Sequence, residues 1–272
     1  MDHKIQHKIT TWIQDVFKNR NYEEIKVKFP ATDTSGGYAA EMIYVNLVGV
    51  KDGKEENTSI IVKKGRDSSV LQDTLNLSRA YASEVRLYAK YIPYLQKFAE
   101  KRNVKPFDNI PFCYGTVDTD NQYVIFMENL KERHYKLHDI EKPIDLNHAE
   151  LVIIAYAKIH ALWLALRDQE PKVFDEFKGE CGPNFVGTKV FECIIETAHK
   201  ELDSVIDIYK EKKKPHIIDK LTTLKQNYER LLSDTFLNKD EIIWFYDMVT
   251  VGTTTICFTT MKHKRFLTEL QL

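Results

Sequence analysis

The sequence carries no excess charge of either sign: 39 basic and 40 acidic side chains leave a formal net charge of −1 over 272 residues. Such a balanced chain is not a polyanion binder driven by gross charge. With 43% apolar and 29% charged residues, it has the composition of a folded globular protein and not of a disordered tail. Long hydrophobic runs are also missing. The longest uninterrupted apolar stretch, Leu151 to Ala157, is far shorter than the roughly 20 residues a bilayer span requires. Met1-Asp2-His3-Lys4 leads straight into an amphipathic pattern with no apolar signal core. The four cysteines, Cys113, Cys181, Cys193 and Cys257, have neither metal-ligand nor disulfide spacing. Together these absences predict a cytoplasmic, reduced protein that binds neither nucleic acid nor membrane, with material for one large domain or two lobes.

What is present changes character along the chain. Ile5, Ile9, Trp12, Ile13 and Val16 lie on one stripe at helical spacing, which predicts a helix over 5–17. Ile25 to Phe29 alternates strictly and reads as a half-exposed strand. The Asp33-Thr34-Ser35-Gly36-Gly37 cluster is a turn, and strands are predicted around Met42 to Val48 and Thr58 to Lys63, joined by a polar hairpin at Lys51 to Lys54. A helix over 78–101 presents Ala82, Val85, Leu87, Tyr88, Ile92 and Leu95 on a broad apolar face, and two strands follow at 110–117 and 122–127. After Leu130 the strand signals stop. Amphipathic helices take over at roughly 146–168, 187–212 and 216–233; the middle one predicts a buried stripe of Val190, Ile194, Ala198, Leu202, Val205 and Tyr209. A strand-rich half followed by a helix-rich half predicts an α+β protein with two lobes, not a doubly wound sheet.

The order of elements carries chemistry. A glycine turn (Ser35, Gly36, Gly37), a strand, a hairpin, a strand ending in Lys63 and a helix bearing Glu84 follow one another. Kinase-like folds need this order: a small-residue loop over the phosphates, a strand lysine on the α- and β-phosphates, and a helix glutamate to position it. On spacing alone, Lys63 and Glu84 could equally be unrelated surface charges, and Gly-Gly marks many ordinary turns.

The wider wording decides. Gly-Tyr-Ala-Ala-Glu-Met-Ile-Tyr at 37–44, Ile-Val-Lys at 61–63, Ser-Glu-Val-Arg-Leu-Tyr at 83–88, Phe-Met-Glu-Asn-Leu at 126–130 and Ala-Lys-Ile-His-Ala at 157–161 stand in order. Over about residues 20 to 245 the chain resembles the ecdysteroid-kinase-like family of arthropod small-molecule kinases, relatives of choline kinases and aminoglycoside phosphotransferases. The resemblance implies a protein-kinase-like bilobal fold with a nucleotide-binding lobe over 1–130 and a partial helical lobe over 131–246. It implies ATP and magnesium as cofactors, and a nucleotide and a small-molecule hydroxyl as partners. Lys63 would contact the ATP phosphates and Glu84 would pair with it; Met127, Glu128, Asn129 and Leu130 would form the hinge whose backbone reaches the adenine. His160 reads as a packed structural histidine before a catalytic one, and Tyr156 and Trp163 as core. The Lys63-Lys64 doublet leaves a register question that strand alternation and the family wording both answer with Lys63.

The family's catalytic loop is absent. That loop supplies histidine-glycine-aspartate, a tryptophan and paired asparagines, followed by aspartate-phenylalanine-glutamine; the aspartates and asparagine position the acceptor hydroxyl and hold magnesium. In its place stands Asp247 to Phe258, and six of the eleven residues from Thr250 to Thr260 are threonine. The genetic code offers a reason. In codons built from the last base of each codon and the first two of the next, Met248–Val249 must give glycine and Met261–Lys262 must give glutamate. The intervening pairs permit the string HGDCWxNNxMFxYDE, the family's loop in order and spacing. The expectation is a shift out of frame just before Asp247, making 247–272 an anomalous tail with no catalytic residue and no metal ligand. The competing expectation is a genuine divergent tail, with Thr253 to Phe258 as an opportunistic strand.

Three functions follow as expectations. The chain belongs to a family that phosphorylates a hydroxyl on ecdysteroid-like or foreign compounds, but is itself inactive as written. Alternatively it is a non-catalytic nucleotide- or ligand-binding pseudokinase. Or it is an unstable fragment whose helical lobe leaves apolar faces exposed.

Overall fold

In the computed structural model, residues 2–18, 20–30, 34–36, 40–65, 77–119, 122–139, 141–181, 189–237 and 259–260 are described. The N-terminal stripe forms helix α1 (His3–Lys18), followed by strands β1 (Tyr22–Lys28), β2 (Thr34–Gly36), β3 (Ala40–Lys51) and β4 (Lys54–Gly65). The hairpin between β3 and β4 closes at Asp52 and Gly53, whose φ angles of 50° and 73° suit a tight turn matched to strand twist. A long helix follows in three pieces: α2 (Leu77–Arg86), a π-helical turn (Leu87–Tyr91) and α3 (Ile92–Glu100). Pro93 accounts for the irregular turn. It lacks an amide, and its ring would crowd the carbonyl four residues back, so the widened turn absorbs the strain. Strands β5 (Cys113–Thr119) and β6 (Gln122–Glu128) complete an antiparallel sheet of order β1-β3-β4-β6-β5, with β2 pairing on β3.

Alternation gives each central strand two apolar faces. Ile43, Val45 and Leu47 of β3, Ile60 and Val62 of β4, and Val124 and Phe126 of β6 pack against Ile9, Ile13 and Phe17 of α1. The other face belongs to the long helix, whose Val85 and Tyr88 cluster with Ile125, Met127 and Ile61. All six residues expected on that helix's apolar face are buried.

After a 3₁₀ turn (Leu130–Arg133) and a short β7 (Lys136–Leu137) come helices α4 (Leu146–Gln169), α5 (Pro171–Cys181), α6 (Lys189–Glu211) and α7 (Pro215–Leu237). Thr259–Thr260 (β8) pairs antiparallel with β7. Helix α4 starts at an Asp145 cap that accepts from the His148 amide at 2.7 Å. Its Trp163 meets Tyr91, Phe174 and Phe177 edge-on. Arg102, just past α3, grips the end of α4, donating to Gln169 at 2.5 Å and to Glu170 at 3.1 Å, and Tyr94 also donates to Glu170. By length and composition α4 is the one helix among the described residues that is apolar enough to cross a membrane. Its second half buries Ile159, Leu162, Trp163 and Leu166 inside the protein.

The chain divides into two compact units, one formed by 1–67, 78–177 and 248–272, the other by 68–77 and 178–247. The second unit is built on the antiparallel pair α6 and α7. Lys225 reaches Asp203 at 2.5 Å, and the rings of His199 and Tyr228 meet edge-on at 6.4 Å. Of the stripe expected on α6, Ala198, Leu202, Val205 and Tyr209 are half-buried, Ile194 is exposed, and the Val190 side chain lies outside the described residues; Phe191 and Ile206 are the fully buried positions.

Candidate nucleotide site

The site is built on the helix-covered face of the sheet. Register places Met42, Lys63 and Ile125 in one row across β3, β4 and β6, and Tyr44, Ile61 and Met127 in the next. Paired residues share a face, so Lys63 projects toward α2, whereas Lys64 falls on the α1 side with Ile60 and Val62. The lysine doublet is thereby separated. Lys64 is buried and donates to the Gly65 carbonyl at 3.2 Å. Lys63 meets Glu84 at 2.5 Å, with the two side chains only 13% and 6% exposed. Burial pushes the Glu84 carboxyl above its ordinary range, and the Lys63 ammonium pulls it back part of the way.

Glycine lets the helix come this close. A Cβ on Gly65 would lie 2.8 Å from the Tyr81 ring, and Tyr81 sits one turn before Glu84 on α2. Behind the pair, the Tyr88 hydroxyl is buried with no hydrogen-bond partner among the described residues, and desolvation with the nearby Glu84 charge raises its pKa far above the ordinary phenol value.

The expected hinge lies at the end of β6. Met127 is buried in register with Ile61 and Cys113. The Glu128 amide donates to the Phe112 carbonyl at 2.9 Å and the Asn129 amide to the Ser59 carbonyl at 3.3 Å. The Asn129 side chain caps the 3₁₀ turn, accepting from the Lys131 amide at 3.1 Å and donating to Ser59 Oγ at 2.9 Å. Leu130 is the first residue of that turn, where an amide has no partner within its own helix. At this expected hinge the Leu130 amide is thus not bonded within the turn.

Of the glycine loop, Ser35 and Gly36 lie on β2, opposite Met42 and Glu41, and Gly37 lies outside the described residues, as does Asp247 to Phe258. His160 is half-buried on α4; burial lowers its pKa, and its ring lies 6.0 Å from Tyr156. Among the described residues no group of three or more His, Cys, Asp or Glu could hold a metal.

The sequence reading missed three contributors. Gly65 and Tyr88 act through tertiary contacts that sequence does not display. Tyr44, with the Lys131 ammonium 4.2 Å over its ring, could have been placed on the site's face by alternation, two residues from Met42.

An antiparallel sheet whose strand lysine is held by a buried glutamate on the covering helix defines an α+β protein of kinase-like fold. The model of the ecdysteroid kinase-like family matches residues 35–243. The chain belongs to that family, among the kinase-like small-molecule kinases. No curated protein and no solved structure matches it.

Proposed function

We propose that this chain binds a purine nucleotide but does not transfer its phosphate. The observation that carries the reading is the buried Lys63–Glu84 pair at 2.5 Å on the helix-covered face of the sheet. In such a pair the carboxylate fixes the ammonium, which then meets the α- and β-phosphates without further ordering. In this reading the Leu130 amide is assigned as the hinge donor to the adenine, and Ser35 to Gly37 as the loop over the phosphates. ATP fits these residues.

Magnesium does not. The described residues offer it no cluster, and no carboxylate occurs between Asp247 and Glu269, the stretch in which the family carries its metal ligands. The family match stops at residue 243, just ahead of that stretch, in keeping with a change of frame before Asp247. Without positioned carboxylates, phosphoryl transfer loses many orders of magnitude in rate. The family's substrate class, a hydroxyl on an ecdysteroid-like or foreign compound, is assigned here as a ligand to be bound and not phosphorylated. A cytoplasmic location belongs to the same reading and suits the free thiols of Cys113 and Cys193.

Calorimetric titration of the purified chain with a non-hydrolysable ATP analogue tests the proposal. Binding that falls about tenfold or more in Lys63→Met supports it. Absence of binding at millimolar analogue, or indifference to Lys63→Met, refutes it, and magnesium-dependent phosphorylation of any hydroxyl compound by this chain refutes its inactivity.

One observation favours a second reading, a poorly covered fragment. The outer side of α4 exposes Leu146 by 82%, Ile153 by 66% and Leu164 by 43%. Such an apolar stripe promotes association. Concentration-dependent aggregation without a cooperative thermal transition would favour this reading, and a reversible monomeric transition would exclude it.

A further inference from the structure

The contact between Tyr44 and Lys131 has a role that the lysine–glutamate pair does not cover. Tyr44 stands opposite Ile61, and Ile61 stands opposite Met127, so all three share the row that runs to the hinge. The adjacent row holds Lys63. A base that reached the Leu130 amide while its phosphates met Lys63 would lie beneath the Tyr44–Ile61–Met127 row, with the phenol ring at the entrance. Lys131, an exposed residue on the 3₁₀ turn beyond the hinge, reaches back to that ring with its ammonium 4.2 Å from the centroid. The two side chains start from opposite sides of β4 and meet across its middle, near Ile61.

We propose that Tyr44 is a base-contacting residue of the nucleotide site and that Lys131 competes for its ring, forming a strap that a purine must displace. The inference rests on the nucleotide-binding reading above. Its physical basis is that a phenol face can hold one partner at a time. An ammonium is held there by the ring quadrupole, and a planar base is held on the same face by stacking. Binding of nucleotide therefore exchanges the cation for the base, and removing the cation leaves the ring free for the ligand. Lys131 is exposed, and its replacement should leave the fold intact.

The test is calorimetric titration of the intact chain with adenylyl imidodiphosphate. Lys131→Met is expected to tighten binding about two- to fivefold, the range set by an exposed cation–π contact. Tyr44→Ala is expected to weaken it about tenfold through lost stacking, Tyr44→Phe to retain most of it, and Lys131→Met added to Tyr44→Ala to change nothing further. Binding by the wild-type chain that weakens in Lys63→Met, yet is unchanged or weakened in Lys131→Met, overturns the strap and leaves the nucleotide reading standing. Failure of both the wild-type chain and Lys131→Met to bind at millimolar analogue overturns both.

Discussion

Gly65→Ala is the sharpest probe of how the site is held together. The added methyl would sit 2.8 Å, 2.9 Å and 3.2 Å from Cδ2, Cε2 and Cγ of Tyr81, where relaxed carbon contacts need about 3.5–4.0 Å. Either the ring or the whole of α2 must retreat by most of an ångström. Overpacking of this kind costs about 1–3 kcal/mol, and a chain of this size loses roughly 2–4 °C of melting temperature for each kcal/mol. If α2 moves, Glu84, one turn beyond Tyr81, moves with it and the Lys63 contact lengthens from its 2.5 Å. Gly179→Ala supplies the control, since Gly179 lies in α5 with nothing within 4 Å of its added Cβ. The same methyl should stabilise there by about 0.5–1 kcal/mol through helix propensity. Scanning calorimetry of both variants should show opposite shifts. The double variant Gly65→Ala/Tyr81→Ala should be less destabilised than the sum of its singles, because truncating the ring removes the clash. Gly65→Ala shifting upward like Gly179→Ala, or strict additivity with Tyr81→Ala, would refute the close-approach argument.

Other perturbations address the same region. Glu84→Gln should alter the pH dependence of stability. The folded carboxyl titrates above its ordinary value of 4.5, so its linkage contribution is present below about pH 4.5 and is lost as pH rises through the folded value. The wild-type chain should therefore gain on Glu84→Gln during acidification through that window; denaturant titrations showing the opposite slope would contradict the shift. Tyr88→Phe removes a buried hydroxyl that has no hydrogen-bond partner among the described residues and should raise stability by about 1 kcal/mol; a lower melting temperature would mean that the hydroxyl is satisfied in solution. Asn129→Ala deletes the bonds to Ser59 and to the Lys131 amide, costing about 1–2 kcal/mol. Amide exchange should accelerate at Lys131, and unchanged protection there would show that the cap is idle.

Much of this architecture was legible because the strands obey a two-residue period. Ile43, Val45 and Leu47 alternate with Met42, Tyr44 and Asn46, and that parity, carried across the hairpin, assigns Lys63 to the helix side and Lys64 to α1. The strand around Lys63 is itself apolar on both faces, so only its neighbours reveal which lysine does what. Helix α5 was missed although Pro171 at its start and Phe174 and Phe177 one turn apart were available as signals. The π-helical turn had Pro93 as its sign. The ring contact at Gly65 and the Lys131–Tyr44 contact had no such sign, because each joins residues that only the folded sheet brings together.

The site's legible half and its missing half meet at one place in the chain, and this makes the last prediction specific. Up to residue 243 the family match holds, and sheet register, caps and the buried ion pair all support one fold, the agreement across levels that marks a selected sequence. From Asp247 onward the family's chemistry is absent in this frame, yet its order is permitted in another. One base inserted ahead of the Asp247 codon would move translation into that frame. Glycine is then forced from Met248 and Val249, and aspartate follows only if the Val249 codon ends in G. Tryptophan requires a Val251 codon ending in T, and each paired asparagine requires a threonine codon ending in A. Reading the transcript across these codons is therefore decisive. A Val249 codon ending in A, C or T would spell asparagine, histidine or tyrosine where the catalytic aspartate must stand, and would return residues 247–272 to being a divergent tail.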